Sequence, residues 1–220
     1  MVLLNNVSKI YRSSQGEVRS LDSINLTIQP GEFVVVRGPS GCGKTTLLLT
    51  IGAMLRPTAG QVQIQDADLY AMSSRERAAF RSTSIGFVFQ MFHLVPYLTV
   101  RENVLLSDWG SASSAQGKRA DQLIEELGLA ARARHTPAKL STGERQRAAI
   151  ARALLHQPKV ILADEPTGNL DPDNAAEVFR HLKAFHRSGG TLIVVTHGSV
   201  ENLGADRTLR LRAGKMDTGS

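Results

Sequence analysis

Residues 38–45 read Gly-Pro-Ser-Gly-Cys-Gly-Lys-Thr and lie between the apolar runs 33–36 and 47–49. This order predicts a strand, a glycine-rich turn and a helix. Such a turn presents backbone N–H groups at a helix N-terminus, where unpaired donors and the helix dipole stabilise anions. The stretch therefore predicts a phosphate-binding loop.

The residue types in this loop suit the phosphates of a nucleotide. Gly38, Gly41 and Gly43 let the backbone approach phosphate oxygens closely. Lys44 can reach the β and γ phosphates, and the Thr45 hydroxyl can bind a magnesium ion. A glycine-rich turn without a ligand is the alternative, but the full pattern in a strand-to-helix context disfavours it. The predicted nucleotide-binding residues are Gly38, Pro39, Ser40, Gly41, Cys42, Gly43, Lys44, Thr45 and Thr46.

The composition is typical of a globular protein with one domain. Of the 220 residues, 42% are hydrophobic and 21% are charged. The net charge is +6, but only 5% of residues are aromatic and there is no dense basic run, so we expect no nucleic-acid partner. The single cysteine, Cys42, excludes an intramolecular disulfide and suits a reducing compartment. We expect no direct membrane insertion, because no apolar run is long enough to span a bilayer and no signal-peptide pattern is present.

Hydrophobic periodicity predicts an α/β protein. Apolar and polar residues alternate over 2–11 and 18–28, which favours two antiparallel strands joined by a turn near Gln15 and Gly16. The continuous apolar run 160–163 favours a strand that is covered on both faces. Strands that alternate with helices indicate a mainly parallel sheet. The other predicted strands are 61–65, 85–89, 191–196 and 207–211; the predicted helices are 73–81, 100–107, 117–127, 145–156 and 172–187; the polar stretch 111–117 is the one candidate for disorder.

An apolar, irregular segment follows the predicted strand 85–89. Residues 91–98 read Met-Phe-His-Leu-Val-Pro-Tyr-Leu and are interrupted by Pro96. Such a segment is either buried in the core or forms a surface on which a partner docks. The residues alone favour neither reading.

Two carboxylates follow the strand 160–163, at the end where parallel sheets bind ligands. Asp164 can hold a water molecule of a magnesium ion, and Glu165 can act as general base for an attacking water. The alternative is that both residues cap the element before Pro166. The phosphate-binding loop favours the catalytic reading.

Gln90 and His197 also stand at strand ends. Alone, each would more often be a polar residue with its hydrogen bonds satisfied inside the protein. Because both fall at the edge that carries the phosphate-binding loop, we expect Gln90 to contact the metal or the water and His197 to hydrogen-bond the γ-phosphate. The predicted catalytic residues are Glu165, His197 and Gln90, and the predicted metal-binding residues are Thr45, Gln90 and Asp164.

A second anion site is predicted at the start of the helix near 145. Ser141 and Glu144 have the spacing of a capping box, which explains these two residues structurally. It does not explain Gly143, which costs helix stability but leaves the N-terminus open to an anion. The chain would then have two phosphate-type sites but bind one triphosphate. We therefore predict that the second site binds the nucleotide of another copy, in a head-to-tail dimer.

These motifs, in this order, resemble the nucleotide-binding domains of ABC transporters over essentially the whole chain. The matching motifs are Walker A (38–45), the Q-loop (Gln90), the signature LSTGE (140–144), Walker B with the catalytic glutamate (VILADE, 160–165), the D-loop (Asn169, Leu170 and Asp171) and the switch histidine (His197). Tyr11 matches the aromatic residue that stacks on adenine, although a strand tyrosine is more often a core residue.

The resemblance implies an α/β fold with a P-loop NTPase core, a mainly parallel sheet, an N-terminal antiparallel β subdomain and an inserted helical subdomain. It implies one nucleotide-binding domain over 1–220, with the core and the antiparallel part at about 1–92 and 158–220 and the helical subdomain at about 93–157. It also implies ATP and Mg²⁺ as cofactors and a homodimer, or a pseudo-dimer with a related chain, that sandwiches two ATP molecules. The signature residues that would act on the opposite copy are Ser141, Thr142, Gly143 and Glu144.

The resemblance further implies a partner in the membrane. Residues 85–104 and 161–171 look most like the branch of lipoprotein-release, macrolide-export and cell-division ATPases, whose permeases typically have four helices and a large outer domain. The chain would lie on the cytoplasmic face of the membrane, with Phe92, His93 and Leu94 as candidate permease contacts. A regulatory ATPase that transmits force without moving a substrate is the alternative, and a nucleic-acid ATPase is disfavoured.

Two residues depart from the family pattern. Thr142 stands where the family commonly has glycine, and its Cβ would crowd the γ-phosphate of the other copy. Glu144 replaces the common glutamine and adds negative charge near phosphate unless its capping role turns it away. Both departures are expected to affect the rate of ATP turnover. The identity of the transported substrate depends on the permease.

Overall fold

The computed structural model describes residues 1–14, 16–106, 114–197 and 204–217. Strands and helices alternate over these ranges. The strands are β1 (Val2–Ser13), β2 (Gly16–Ile28), β3 (Phe33–Arg37), β4 (Ala59–Ile64), β5 (Ala67–Asp68), β6 (Ile85–Phe89), β7 (Val160–Asp164), β8 (Thr191–Thr196), β9 (Arg207–Arg212) and β10 (Lys215–Asp217). The helices are α1 (Lys44–Ile51), α2 (Ser74–Ser84), α3 (Val100–Leu105), α4 (Ser114–Glu126), α5 (Thr142–Leu154) and α6 (Pro172–Arg187).

The strand before the phosphate-binding loop, β3, lies inside a six-stranded sheet with the order β10-β9-β3-β8-β7-β6. Strands β9, β3, β8, β7 and β6 run parallel, and β10 pairs antiparallel with β9. Alternate residues pack into opposite layers. Val34 and Val36 contact the apolar layer that contains α1, while Phe33 and Val35 contact the layer that contains α5 and α6. Continuous apolar runs form these strands because helices cover both faces of the sheet.

A second sheet, with the order β2-β1-β4-β5, is antiparallel and carries the N-terminal strands. On β2, the predicted apolar residues Leu21, Ile24, Leu26 and Ile28 are all buried. Leu21 and Ile24 are three residues apart, yet both pack into the same core. The ladder shifts register at this point and Ser23 has a φ of 54°, so a β-bulge returns Ile24 to the buried side.

Helices α3, α4 and α5 lie between β6 and β7 in the chain and pack on one another. Their buried residues, among them Val104, Leu123 and Ala148, join the apolar layer that also contains Phe33. The layer therefore connects this helical region to one face of the parallel sheet. None of the described helices is long and apolar enough to cross a membrane.

Some element bounds differ from the predictions. Helix α5 begins at Thr142 because the Ser141 cap starts it earlier than the apolar pattern suggested. Residues 114–117 belong to α4 and are not disordered. The rest of the polar stretch, the predicted helix end at Ser107 and the turn residue Gln15 lie outside the described residues. Strands β5 and β10 were not predicted, because two or three residues are too few for a recognisable period.

A buried side chain, Asn103 on α3, helps to hold the apolar segment 91–98 in place. The Asn103 side chain is completely buried. Its Oδ1 accepts from the N–H of Val95 at 2.7 Å, and its Nδ2 lies 3.0–3.1 Å from the carbonyl oxygens of Val95, Leu98 and Thr99. These bonds satisfy backbone groups of a non-regular segment that no strand or helix pairs.

We expect Asn103→Ala to lower the free energy of unfolding by about 1–3 kcal/mol, because buried backbone groups of the segment would lose their partners. Urea denaturation followed by circular dichroism measures this change. Gln122→Ala, at an exposed position of α4, is the control and should change stability by less than about 0.5 kcal/mol. Equal effects of the two substitutions would contradict the anchoring role of Asn103.

Candidate functional site

The phosphate-binding loop leaves the N-terminus of α1 open. Gly43 precedes the helix with a φ of 108°, and no side chain caps the first turn or adds a carboxylate there. A Cβ on Gly43 would also collide with the carbonyl oxygen of Ser20, so glycine is required at this position for two reasons. The unpaired N–H groups and the helix dipole make this turn suited to a phosphate.

The Lys44 ammonium lies under the same loop. Its Nζ donates to the carbonyl oxygens of Gly38 at 2.8 Å and Pro39 at 3.0 Å, and the residue is 8% exposed. These carbonyl contacts hold the positive charge against the loop. An ammonium group in this position can attract phosphate oxygens without a large movement of the side chain.

Asp164, at the end of β7, faces the first turn of α1. Burial raises the pKa of its carboxyl above the ordinary value, and the negative charge of Glu165 adds to the rise, while a hydrogen bond from Thr45 and the charge of Lys44 act in the opposite direction. A bound divalent cation would favour the ionised carboxylate. Thr45, Asp164 and Gln90 line one cavity, and their oxygen donors suit a hard cation such as Mg²⁺.

Glu165 forms a close pair with His197 across the ends of β7 and β8. Its Oε1 lies 2.7 Å from His197 Nδ1, and its Oε2 accepts from the Thr196 hydroxyl at 3.1 Å. Glu165 has a φ of 46°, which non-glycine residues rarely adopt. Its N–H donates to the carbonyl of Val195 at 2.9 Å, which helps to hold this conformation. Such backbone conformations persist where contacts enforce them, and they cluster at functional sites.

Gln90 follows β6 and contacts the turn after β7. Its Nε2 lies 3.5 Å from Asn169 Oδ1, and Asn169 Nδ2 lies 3.4 Å from the Gln90 carbonyl. These contacts are long for amide hydrogen bonds. The Gln90 amide is therefore weakly held and can turn towards a cation in the cavity.

These side chains surround one cavity of about 340 Å³. Ser20 on β2 is a lining residue that the sequence reasoning missed; its hydroxyl donates to Thr46 Oγ1 at 2.8 Å. A serine in an alternating strand carries no recognisable signal. The lining residues are Ser20, Ser40, Gly41, Gly43, Lys44, Thr45, Thr46, Gln90, Asp164, Glu165 and His197.

Some predicted nucleotide-binding residues lie outside this lining. Gly38 and Pro39 hold Lys44 through their carbonyls, and the Cys42 side chain is 5% exposed in the apolar layer with α1. The Cys42 thiol is therefore packed in the core, and Cys42 does not line this cavity. Tyr11, on β1, is 44% exposed, with Lys9 Nζ at 5.3 Å from its ring centroid. Its contact with an adenine stays a prediction.

The predicted capping box at the start of α5 is present. Ser141 accepts from the N–H of Glu144 at 3.2 Å, and the Glu144 carboxylate accepts from the N–H of Ser141 at 2.7 Å. Arg132 also donates to Glu144 at 2.9 Å. The Arg132 hydrogen bond, followed by the cap, holds the pKa of Glu144 below its ordinary value. The capping role therefore holds this ionised carboxylate against the N–H of Ser141, and Arg132 supplies a balancing positive charge.

Gly143 has a packing role that the sequence reasoning did not anticipate. The residue is buried, and a Cβ added to it would collide with the side-chain amide of Asn174 on α6. Access for an anion is therefore not the only reason for glycine at this position. The close packing of the Asn174 side chain on α5 also favours glycine.

Asn174 connects α5, which begins with the signature residues, to Asp171 of the D-loop. Asp171 caps α6 and accepts from the N–H of Asn174 at 3.0 Å and from its Nδ2 at 2.6 Å. Arg147 on α5 lies 3.4 Å from Asn174 Oδ1 and donates to Glu177 at 2.6 Å. The start of α5 and the start of α6 are thus held together by polar contacts, although neither the signature residues nor Asp171 line the cavity described above.

A glycine-rich phosphate loop after one strand of a parallel sheet, with carboxylates after another strand at the same edge, defines a P-loop nucleotide-binding protein. The chain matches the family model described as ABC transporter over residues 21–168. It is 44% identical over 218 residues to the uncharacterized ABC transporter ATP-binding protein YvrO of Bacillus subtilis, across 98% of this chain and 95% of that protein. It is 46% identical over 200 residues to the lipoprotein-releasing system ATP-binding protein LolD 1 of Rhodopirellula baltica, across 90% and 87% of the two chains.

Solved structures agree with this assignment. The dimeric ATP-binding cassette MJ0796 is 39% identical and has a TM-score of 0.90, across 99% of this chain and 97% of that chain. The same cassette in a post-hydrolysis state bound to ADP and phosphate gives a TM-score of 0.89. The chain belongs to the ABC transporter family and is an ATP-binding subunit that hydrolyses ATP. This confirms the resemblance and the fold class predicted from the sequence.

We expect Gly143→Ala to destabilise the protein by about 1–3 kcal/mol, because the new methyl group must displace the Asn174 amide. In the double variant Gly143→Ala/Asn174→Ala the collision is absent, so its loss of stability should be smaller than the sum of the two single losses. Urea denaturation measures these changes. Strictly additive losses would contradict the packing role of Gly143, and ATPase activity that stays low in the double variant would show a separate need for glycine at the nucleotide.

Proposed function

We propose that two copies of this chain close around two ATP molecules, and that closure and reopening drive a separate membrane permease. The observation that carries the proposal is the Glu165–His197 pair beside the phosphate loop and Asp164, all on one cavity. Residues 141–144 do not line this cavity, so a second copy would have to supply them. The solved cassette MJ0796 is dimeric, which supports a two-copy assembly.

In this proposal, Glu165 accepts a proton from the attacking water. His197 and Thr196 hold the two carboxylate oxygens, so the acceptor is already oriented before the water arrives. As the water oxygen bonds to the γ phosphorus, the bond from that phosphorus to the β–γ bridging oxygen breaks, and ADP and phosphate are the products. His197 is well exposed, and its Nδ1 faces Glu165; with a proton on each ring nitrogen, it would donate from Nδ1 to Glu165 and from Nε2 to the γ-phosphate.

The positive charges of the site would act on the phosphates. Lys44 lies next to the open N-terminus of α1 and would bind the β and γ phosphates. Thr45, Gln90 and Asp164 would hold Mg²⁺, directly or through water, and the cation would neutralise charge on the phosphate oxygens. Among the described residues no three His, Cys, Asp or Glu side chains form a metal site, so the nucleotide itself would complete the coordination.

We expect Glu165→Gln to lower the ATPase rate by about 100-fold or more, because the amide cannot accept the proton of water. ATP binding should remain, and size-exclusion chromatography with ATP and Mg²⁺ should show a stable dimer, since hydrolysis no longer reopens it. The matched control is Glu125→Gln, at an exposed position of α4, which should behave as wild type. A Glu165→Gln variant that hydrolyses ATP normally would contradict the role of Glu165, and one that stays monomeric with ATP would contradict the sandwich.

A groove of about 680 Å³ is the proposed permease-docking surface. It lies beside α1, α2, β6 and α5, and apolar side chains such as Met54 and Phe89 line it together with the cations Arg81 and Arg152. Met54 is 52% exposed. An apolar helix or loop with an acidic residue would fit this lining, because it would cover the apolar surface and pair with an arginine.

The segment 91–98 forms part of this surface. His93 lines the groove, and the carbonyls of Phe92 and His93 accept from Arg152 at 2.7 Å and 2.5 Å. Leu94 is partly buried and packs against the apolar layer of the helical region. Phe92, His93 and Leu94 remain proposed contacts, and Met91 and Tyr97 are exposed large hydrophobic residues of the same segment.

We expect Met54→Glu to abolish co-purification of the permease from detergent-solubilised membranes, because a carboxylate would stand in the apolar groove. Mass spectrometry of the captured proteins measures the outcome. Val18→Glu, 63% exposed on β2, is the control and should retain the partner. If both variants capture the same membrane protein as wild type, the docking surface lies elsewhere, and if wild type captures only soluble partners, the transport proposal is wrong.

A further inference from the structure

A second cavity, of about 420 Å³, lies on the other side of the phosphate-binding loop and is lined by three arginines. Arg37 ends β3, and Arg210 and Arg212 lie on β9. The cavity shares His197 with the ATP site, but Lys44, Thr45, Asp164 and Glu165 line only the latter. The two cavities are therefore neighbours with different linings.

The sheet register places these cations side by side. Arg37 pairs with Arg210 across β3 and β9, and Arg212 pairs with Lys215 across β9 and β10. Arg210 and Arg212 are two residues apart, so they share a face of the strand. Like charges directly opposite each other in a sheet destabilise it. Two such pairs therefore create a local excess of positive charge on this side of the sheet, which favours an anion.

Carboxylates of the described residues balance this charge only in part, because Asp217 alone lies opposite Arg210 across β9 and β10. Lys215 pairs with Asp22 at 3.4 Å, whereas within the described ranges the side chains of Arg37, Arg210 and Arg212 form neither an ion pair within 4.0 Å nor a hydrogen bond. Asp217 is the one carboxylate in the lining. On the same strand, Arg207 has its own partner, Glu32, at 2.9 Å.

We propose that this cavity is a second anion site, which binds a small dissolved phosphate-bearing ligand separately from ATP. Guanidinium groups bind oxyanions through paired N–H donors, and three of them on one face match the oxygens of a phosphate group. The volume is within the range of small-ligand pockets. Since Gly38 and His197 also contribute to the lining, a bound anion would lie against the back of the ATP-binding loop.

The test uses the full chain with its nucleotide site saturated by a non-hydrolysable ATP analogue and Mg²⁺, so that phosphate cannot enter the γ position. Isothermal titration calorimetry then measures binding of inorganic phosphate to wild type, to Arg210→Gln/Arg212→Gln and to Arg75→Gln/Arg134→Gln. The last variant removes the same charge from two exposed arginines elsewhere. We expect the first pair of substitutions to weaken binding by about tenfold or more, and the second to leave it unchanged.

Two outcomes would overturn the proposal. If both double variants weaken phosphate binding equally, the effect is one of net charge alone. If wild type shows no saturable binding of phosphate, the cavity does not bind a dissolved phosphate-bearing ligand. A parallel co-sedimentation assay with phosphatidic acid vesicles distinguishes the source of the phosphate group. Vesicle binding that depends on Arg210 and Arg212, without binding of dissolved phosphate, would assign the arginines to a lipid headgroup and contradict the proposal. The single variant Arg37→Gln should also weaken phosphate binding, and circular dichroism is used to confirm that it is folded.

Discussion

Parallel pairing of β6, β7, β8 and β3 brings the ends of four strands to one edge of the sheet. The register aligns Phe89 with Asp164, Asp164 with Val195, and Thr196 with Arg37. Each strand therefore delivers the residues that follow it to the same place: Gln90, Glu165, His197 and the phosphate-binding loop. No single strand carries the site, and the buried apolar runs that align the strands are what assemble it.

At this edge the structure combines an open helix N-terminus with a held carboxylate. The first turn of α1 has neither a side-chain cap nor an acidic residue, so its N–H groups and Lys44 are available to phosphates. Glu165 is fixed by Thr196 and His197 in a left-handed backbone conformation. The Glu165 carboxylate therefore has little freedom to move. The Gln90 amide has more, because its contacts with Asn169 are long.

Local sequence patterns predicted the parts of the molecule that depend on local physics. The phosphate loop, the strand bounds 85–89 and 191–196, the helix 172–187 and the Ser141 capping box were predicted from glycines, apolar runs and cap spacing. Asn103, Ser20 and the contact of Gly143 with Asn174 were not, because each depends on how distant elements approach one another. The direction of the Glu144 carboxylate likewise depended on Arg132, which is twelve residues away in the chain. A residue type alone carries no signal of such contacts.

The central claim is that half of each ATP site comes from another copy of the chain. Asn174 ties α5, which begins with the signature residues, to Asp171 of the D-loop. Neither the signature residues nor Asp171 line the ATP cavity of the same chain. In this account, both would therefore reach a second copy together. The most direct test is a crystal structure with a non-hydrolysable ATP analogue and Mg²⁺. The account predicts that the γ-phosphate bound at Lys44 of one copy lies within hydrogen-bond distance of Ser141 of the other. A γ-phosphate that contacts only residues of its own chain would contradict it.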